Sequence, residues 1–302
     1  MRIGVSLSEP PATADGLDQL REQITTAAAH GFASGWLANI FGVEALTALA
    51  VAGRDVPGFE LGTAVVPTYP RHPAVLAQQA LTVQSVLGGR LALGIGLSHQ
   101  VVIENMYGYS FDKPARHMRE YLEVLVPLLR DGKVAFTGET LQGNVNLGTH
   151  REHPVPVLLA ALAPQMLRLA GSVADGTVLW MTGPATVENH IVPRITEAAE
   201  AAGRPSPRVV CILPVCVTSD ENAARERAAS IFSIYGQLPS YRAMLDKEGA
   251  ATPGDVAIVG DEASVRSQIQ RLADVGVTDF VAASFGAGDD AGATRDVLRS
   301  FL

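Results

Sequence analysis

Two cysteines, Cys211 and Cys216, are all that this chain of 302 residues contains. They lie in the apolar run Val209–Val217, and in an extended strand their spacing puts them on opposite faces about 16 Å apart, beyond the reach of a disulfide. So little cysteine points to a reduced, cytoplasmic protein and away from a disulfide scaffold. Apolar runs of about 18 residues are also missing, so no transmembrane helix is expected. Arg2–Leu7 reads as a strand and lacks the charged leader and apolar core of a signal peptide. Basic residues are outnumbered 23 to 31, for a formal net charge of −8, which argues against nucleic acid or an anionic membrane as partner. There is no Gly-x-Ser-x-Gly, no P-loop and no His-Glu-x-x-His, which removes three large enzyme classes. His72, His117, His150, His153 and His190 have no metal-ligand spacing, and no metal site is expected.

What the chain does have is apolar material, 47% of residues against 18% charged, enough for a large buried core. Short runs rich in Val, Ile and Leu alternate with amphipathic segments. The runs Arg2–Leu7, Ser34–Ala38, Leu61–Val66, Leu91–Ile95, Val155–Ala160, Thr177–Met181, Val209–Val217 and Thr278–Ala283 read as strands covered on both faces. Helical patterns fall between them, such as Pro114–Arg130, whose Met118, Tyr121, Leu122, Leu125, Leu128 and Leu129 recur at spacings of three and four. Eight strands alternating with helices predict an α/β fold of the (β/α)8 TIM-barrel type, as one domain over residues 1–302, with a doubly wound open sheet as the alternative. Val134–Leu141 reads as a small hairpin. Gln237–Gly260, mixed in charge and broken by proline and glycine, reads as an irregular insertion before the last barrel helix and strand.

The stretch Leu61–His99 is the most informative. It reads as strand, loop, helix, strand and glycine-rich loop, and parallel strands bring both C-terminal ends to one side of the sheet. Both ends are built of small residues, leaving room for something flat or phosphorylated. Gly94-Ile95-Gly96 lacks the third glycine and the downstream acid of a dinucleotide fingerprint, so its two glycines read as close backbone approach to a ligand.

Five motifs occur in order: Gly62-Thr63-Ala64-Val65-Val66-Pro67, then Arg71-His72-Pro73 through Gln79, then Gly89-Arg90-Leu91 through Gly96, then Arg119-Glu120-Tyr121-Leu122-Glu123, and last Ala174-Asp175-Gly176-Thr177-Val178. Together they resemble the luciferase-like monooxygenase superfamily, in particular its coenzyme F420-dependent oxidoreductases from actinobacteria. The resemblance covers the chain to about Gly183 and implies a TIM barrel, as the strand count does independently. It implies a non-prolyl cis peptide at Ala64–Val65 behind the deazaflavin ring, with Leu97, Ser98, His99 and Val102 lining that ring. A phosphate site is implied at Ala160, Ala161, Leu162 and Ala163, where a strand end meets a helix start. Met181, Thr182 and Gly183 are implied beside it.

A sugar-phosphate dehydrogenase of that family has an Asp-His pair where this chain has Asn39 and Ile40, and a glutamate where it has His99. Isoleucine exchanges no proton, so Asn39 and His99 are the candidate catalytic residues. The implied activity is hydride transfer between F420 and a small organic substrate. The alternatives are an FMN-dependent monooxygenase and a non-catalytic F420 carrier or sensor. A homodimer is implied as well, through helices next to the second and third strands.

Overall fold

Strands without polar alternation need cover on both faces, and the chain supplies it by closing them into a ring inside a shell of helices. The structure, a computed structural model, describes residues 1–302. The strands are β1 (Arg2–Leu7), β2 (Ser34–Leu37), β3 (Glu60–Thr63), β4 (Val66–Pro67), β5 (Leu91–Gly96), β6 (Lys133–Thr137), β7 (Gln142–Asn146), β8 (Val157–Leu159), β9 (Gly176–Trp180), β10 (Arg208–Val217), β11 (Ile258–Gly260) and β12 (Asp279–Ser284). The longer helices are α1 (Gly16–Ala29), α2 (Ala45–Gly53), α3 (Pro73–Val86), α4 (Pro114–Asp131) and α5 (Pro164–Ser172), followed by the single turn α6 (Pro184–Thr186). They continue as α7 (Val192–Ala201), α8 (Glu221–Ile231), α9 (Pro239–Glu248), α10 (Glu262–Asp274) and α11 (Asp289–Arg299). The eight strands β1, β2, β3, β5, β8, β9, β10 and β12 pair in parallel in that order, and β12 returns to β1. This is a closed TIM barrel.

The barrel interior is filled by Trp36, Ala92, Leu158, Val178, Val210, Ile212 and Val281. Trp36 takes the largest share. A Cβ on Gly62 would lie 2.3 Å from its indole, so the neighbouring strand needs glycine there. Below Trp36, at the N-terminal end, four strand starts carry opposite charges. Arg208 donates to Asp279 Oδ1 at 2.7 Å and Glu60 Oε1 at 2.9 Å, and Arg2 reaches the same two carboxylates at 3.1 and 3.3 Å. Those carboxylates hold the Arg208 guanidinium above its ordinary range against the burial that opposes charge. One end of the barrel is thereby closed by paired charge.

Helix α4 buries the apolar face its sequence predicts and ends at Gly132, whose φ of 74° suits glycine. The same helix carries Glu120, buried and accepting from the backbone N–H groups of Glu139, Thr140 and Leu141. That carboxylate fastens the β6–β7 hairpin to the barrel wall. The hairpin is longer than Val134–Leu141: β6 pairs antiparallel with β7, and 138–141 forms only the turn. Its second arm, Gln142-Gly143-Asn144-Val145-Asn146, is too polar to announce a strand.

The insertion is ordered, which corrects the irregular reading of Gln237–Gly260. Pro239 stands in the first turn of α9, where its missing N–H is harmless, and Gly249 ends the helix at φ 76°. Thr252 and Asp255 form a capping box, and β11 adds a ninth parallel strand outside the ring, beside the end of β10. The third strand also departs from a continuous Leu61–Val66. It breaks after Thr63 and resumes at Val66.

Removing Arg208 would leave Asp279, whose side chain is 2% exposed, with a weaker partner. Arg208→Ala is expected to lower unfolding free energy by about 3 kcal/mol, read as a drop in the urea midpoint at unchanged slope.

Candidate functional site

The break in the third strand builds the open end of the barrel. Leu61 and Gly62 pair with Leu91 and Ala92, whereas Val66 and Pro67 pair with Ile95 and Gly96. The register therefore shifts by one residue, and the extra residue lies in a bulge at Ala64 and Val65. The Ala64–Val65 peptide bond is cis, where the family resemblance places one. On the β2 side pairing continues, with the Ala64 N–H donating to the Leu37 carbonyl at 2.8 Å. On the β5 side the Thr63 hydroxyl fills the gap, donating to the Gly94 carbonyl at 2.8 Å and accepting from the Gly94 N–H at 2.9 Å.

Gly94 and Gly96 make room for this bulge. A Cβ on Gly94 would come within 1.9 Å of the Thr63 carbonyl oxygen. One on Gly96 would lie 2.7 Å from Val65 and 3.1 Å from Ala160. The close approach read into these glycines is thus made by the neighbouring strand. Ala64, Val65, Trp180 and Ala283 pack on the interior cluster and floor the mouth with small side chains and one indole.

Around this floor the strand ends adopt unusual backbone. Ser98, after β5, has φ 61° and Met181, after β9, has φ 51°, in the left-handed region that side chains disfavour. Leu97, Ser98, His99 and Val102 are half-buried along the β5 rim. The His99 carbonyl accepts from Val102 and Ile103, which starts a wide helical turn at Val102–Met106. Its ring lies 5.8 Å from that of Tyr241 on α9, so the ordered insertion reaches across to the β5 loop. Burial pushes the His99 imidazole below its ordinary pKa of 6.5, leaving it neutral at pH 7. Asn39 stands after β2, but its Oδ1 accepts from the Ala45 N–H at 3.0 Å and ties down the start of α2. Its amide N–H2 makes no hydrogen bond within the chain.

The two helix starts beside the floor differ. At α5, Ala163 caps without any side-chain bond, and the N–H groups of Gln165 and Met166 have no intrachain acceptor. The loop before it is pinned from behind, His190 Nε2–H donating to the Leu162 carbonyl at 2.8 Å. His190 gave no sequence signal, since it sits a full element away. Ala160 and Leu162 are half-buried, Ala161 is buried and Ala163 is exposed, so this segment lies open to an anion. At α6 the corresponding N–H groups of Ala185 and Thr186 are already held by the Glu248 carboxylate at 3.0 and 2.7 Å. Met181, Thr182 and Gly183 are buried beneath, with the Thr182 hydroxyl bonded to the Trp180 carbonyl and Gly183 packed under Glu248. The structure thus brings the 64–65, 97–102 and 160–163 groups to the open mouth and leaves 181–183 behind it.

After the bulge, Thr68 Oγ1 and His117 Nε2 share a hydrogen bond of 3.1 Å, and Tyr69 stacks on the His117 ring at 3.9 Å. The Tyr69 hydroxyl is buried without a partner, and burial pushes its pKa up to about 12. Burial pushes His117 down to about 4.

A sequence model of the family described as luciferase-like monooxygenase matches residues 1–291 of this chain. The 5,10-methylenetetrahydromethanopterin reductase of Methanolobus tindarius is 26% identical over 286 residues, covering 84% of this chain and 86% of the relative. A Mycobacterium tuberculosis protein provisionally named a coenzyme F420-dependent oxidoreductase is 31% identical over 194 residues, 58% of this chain and 54% of that one. Among solved structures, the coenzyme F420-dependent tetrahydromethanopterin reductase of Methanopyrus kandleri superposes with a TM-score of 0.81 at 21% identity, over 99% of this chain and 97% of that one. At that identity the likeness concerns the fold.

His117 is neutral in the folded protein down to about pH 4 but protonates near 6.5 when unfolded. Its contribution to stability is therefore complete above about pH 6.5 and is lost as pH falls toward 4. Proton NMR is expected to show the His117 ring titrating near pH 4, and His117→Gln is expected to flatten the stability profile across that window.

Proposed function

Because the chain belongs to the luciferase-like monooxygenase family, we propose that it is a coenzyme F420-dependent oxidoreductase acting at the C-terminal mouth of its barrel. The observation that carries this reading is the bulge at Ala64–Val65, a flat floor of small side chains set between the β5 rim and the uncapped start of α5. The name of the Mycobacterium tuberculosis relative supports the same cofactor, and that of the Methanolobus tindarius relative supports a reductase.

The residues fit the group. Ala64 and Val65 present small, half-buried side chains packed on the interior cluster, against which a tricyclic ring would rest. The free N–H groups of Gln165 and Met166 would hold its phosphate through backbone donors and the helix dipole, with no basic side chain. When bound, the deazaflavin supplies a hydride donor or acceptor. Around it, the loops after β2, β5 and β10 orient an organic substrate and keep water out. The neutral His99 imidazole takes the hydroxyl proton of an alcohol during oxidation, and its protonated form returns that proton in reduction. Asn39, through its free amide N–H2, orients the substrate oxygen.

Two measurements test this. Titrating the protein with F420 and with FMN is expected to quench F420 fluorescence at far lower concentration. Tighter FMN binding with oxygen consumption would contradict the reading, and F420 binding without turnover on any enone or alcohol would favour a carrier. His99→Ala is expected to lower kcat by about 10²-fold or more while leaving F420 affinity within about threefold.

A further inference from the structure

Two loops stand over the bulge from either side, because β2 and β5 are the strands that flank β3 in the ring. The first carries Ile40 and Phe41, 55% and 61% exposed. The second carries Val101, Met106, Tyr107 and Tyr109, with Met106 the most exposed at 63%. Large apolar side chains left in water and grouped at a cleft mark a surface that something apolar covers. The two loops meet, with the Phe41 and Tyr107 rings 6.5 Å apart and tilted by 40°. The second loop is braced from below, since Phe111 stacks on Tyr69 at 5.3 Å and Tyr69 on His117.

The charges nearby have one prevailing sign. Glu9 presses its carboxylate against Gly42, and Glu104 and Asp112 belong to the second loop. On the cationic side, Arg71 is bound to Glu44 at 3.2 Å, and Lys113 is the one lysine in either loop. An anionic substrate would meet net repulsion here, whereas a neutral ring would bury the exposed side chains.

We infer that Ile40, Phe41, Val101, Met106, Tyr107 and Tyr109 form a specificity lip that takes a neutral, ring-bearing apolar substrate, larger than a short-chain alcohol. The inference rests on the mouth being the reactive site, as proposed above. The lip stacks on the ring of the substrate and leaves its oxygen function toward His99 and Asn39.

The test uses the whole protein and the neutral fluorescent probe N-phenyl-1-naphthylamine, with F420 binding measured separately. The probe is expected to bind the wild type, and the Phe41→Ser/Tyr107→Ser variant is expected to bind it at least roughly tenfold more weakly with unchanged circular dichroism. The neutral ketone 2-acetonaphthone is expected to displace the probe at about one-tenth the concentration that 2-naphthoate, its anionic counterpart, requires. Equal probe binding by the variant, or equal displacement by the two naphthalenes, would overturn the lip. So would a wild-type dimer that the double substitution converts to monomer, since the rings would then be covered by a second copy. Loss of F420 binding with the expected probe behaviour would overturn the cofactor reading and leave the lip standing.

Discussion

The hydroxyl of Thr63 fills the gap that the bulge opens between β3 and β5, and the shape of the barrel mouth at this strand depends on it. A strand carrying one extra residue must leave a donor and an acceptor on its neighbour unpaired. Here those groups are the N–H and carbonyl of Gly94, and a single side chain satisfies both. Left bare and buried they would cost about 1–3 kcal/mol each. With the gap filled, the chain can hold a flat two-residue bulge at the barrel rim without losing closure. The glycines of β5 and the small side chain of Ala160 make room for that bulge.

The two ends of the barrel use charge in opposite ways. At the N-terminal end, Arg2, Glu60, Arg208 and Asp279 neutralise one another below the Trp36 plug. At the C-terminal end, the polar groups around the bulge are backbone N–H, the His99 imidazole and the Asn39 amide, and no ion pair closes it. A neighbouring helix start that would offer a second anion site is filled from within by Glu248. That division leaves the start of α5 as the helix end at the mouth whose first N–H groups have no acceptor within the chain.

Much of this was legible in the sequence. The Val/Ile/Leu runs announced the barrel because parallel strands buried on both faces cannot be polar. The resemblance placed the cis bond at Ala64–Val65 and the loop at 160–163. The rest was hidden for physical reasons. Gly94 and Gly96 look alike whether the close neighbour is a ligand or a strand, and only the register shift distinguishes the two. Glu248 and His190 act across sequence separations of 62 and 28 residues, which no local pattern encodes. Gly183 is covered by Glu248 of α9, a helix whose apolar positions Met244 and Leu245 are masked in the sequence by the charged residues around them.

If a deazaflavin ring binds against the bulge, the Thr63 hydroxyl that holds the bulge in place controls its affinity. The direct measurement compares F420 affinity by fluorescence quenching in Thr63→Val and Thr63→Ser, each verified as folded. The serine variant, which keeps the hydroxyl, is expected to bind like the wild type, and the valine variant at least roughly tenfold more weakly. A folded Thr63→Val protein with wild-type F420 affinity would contradict it.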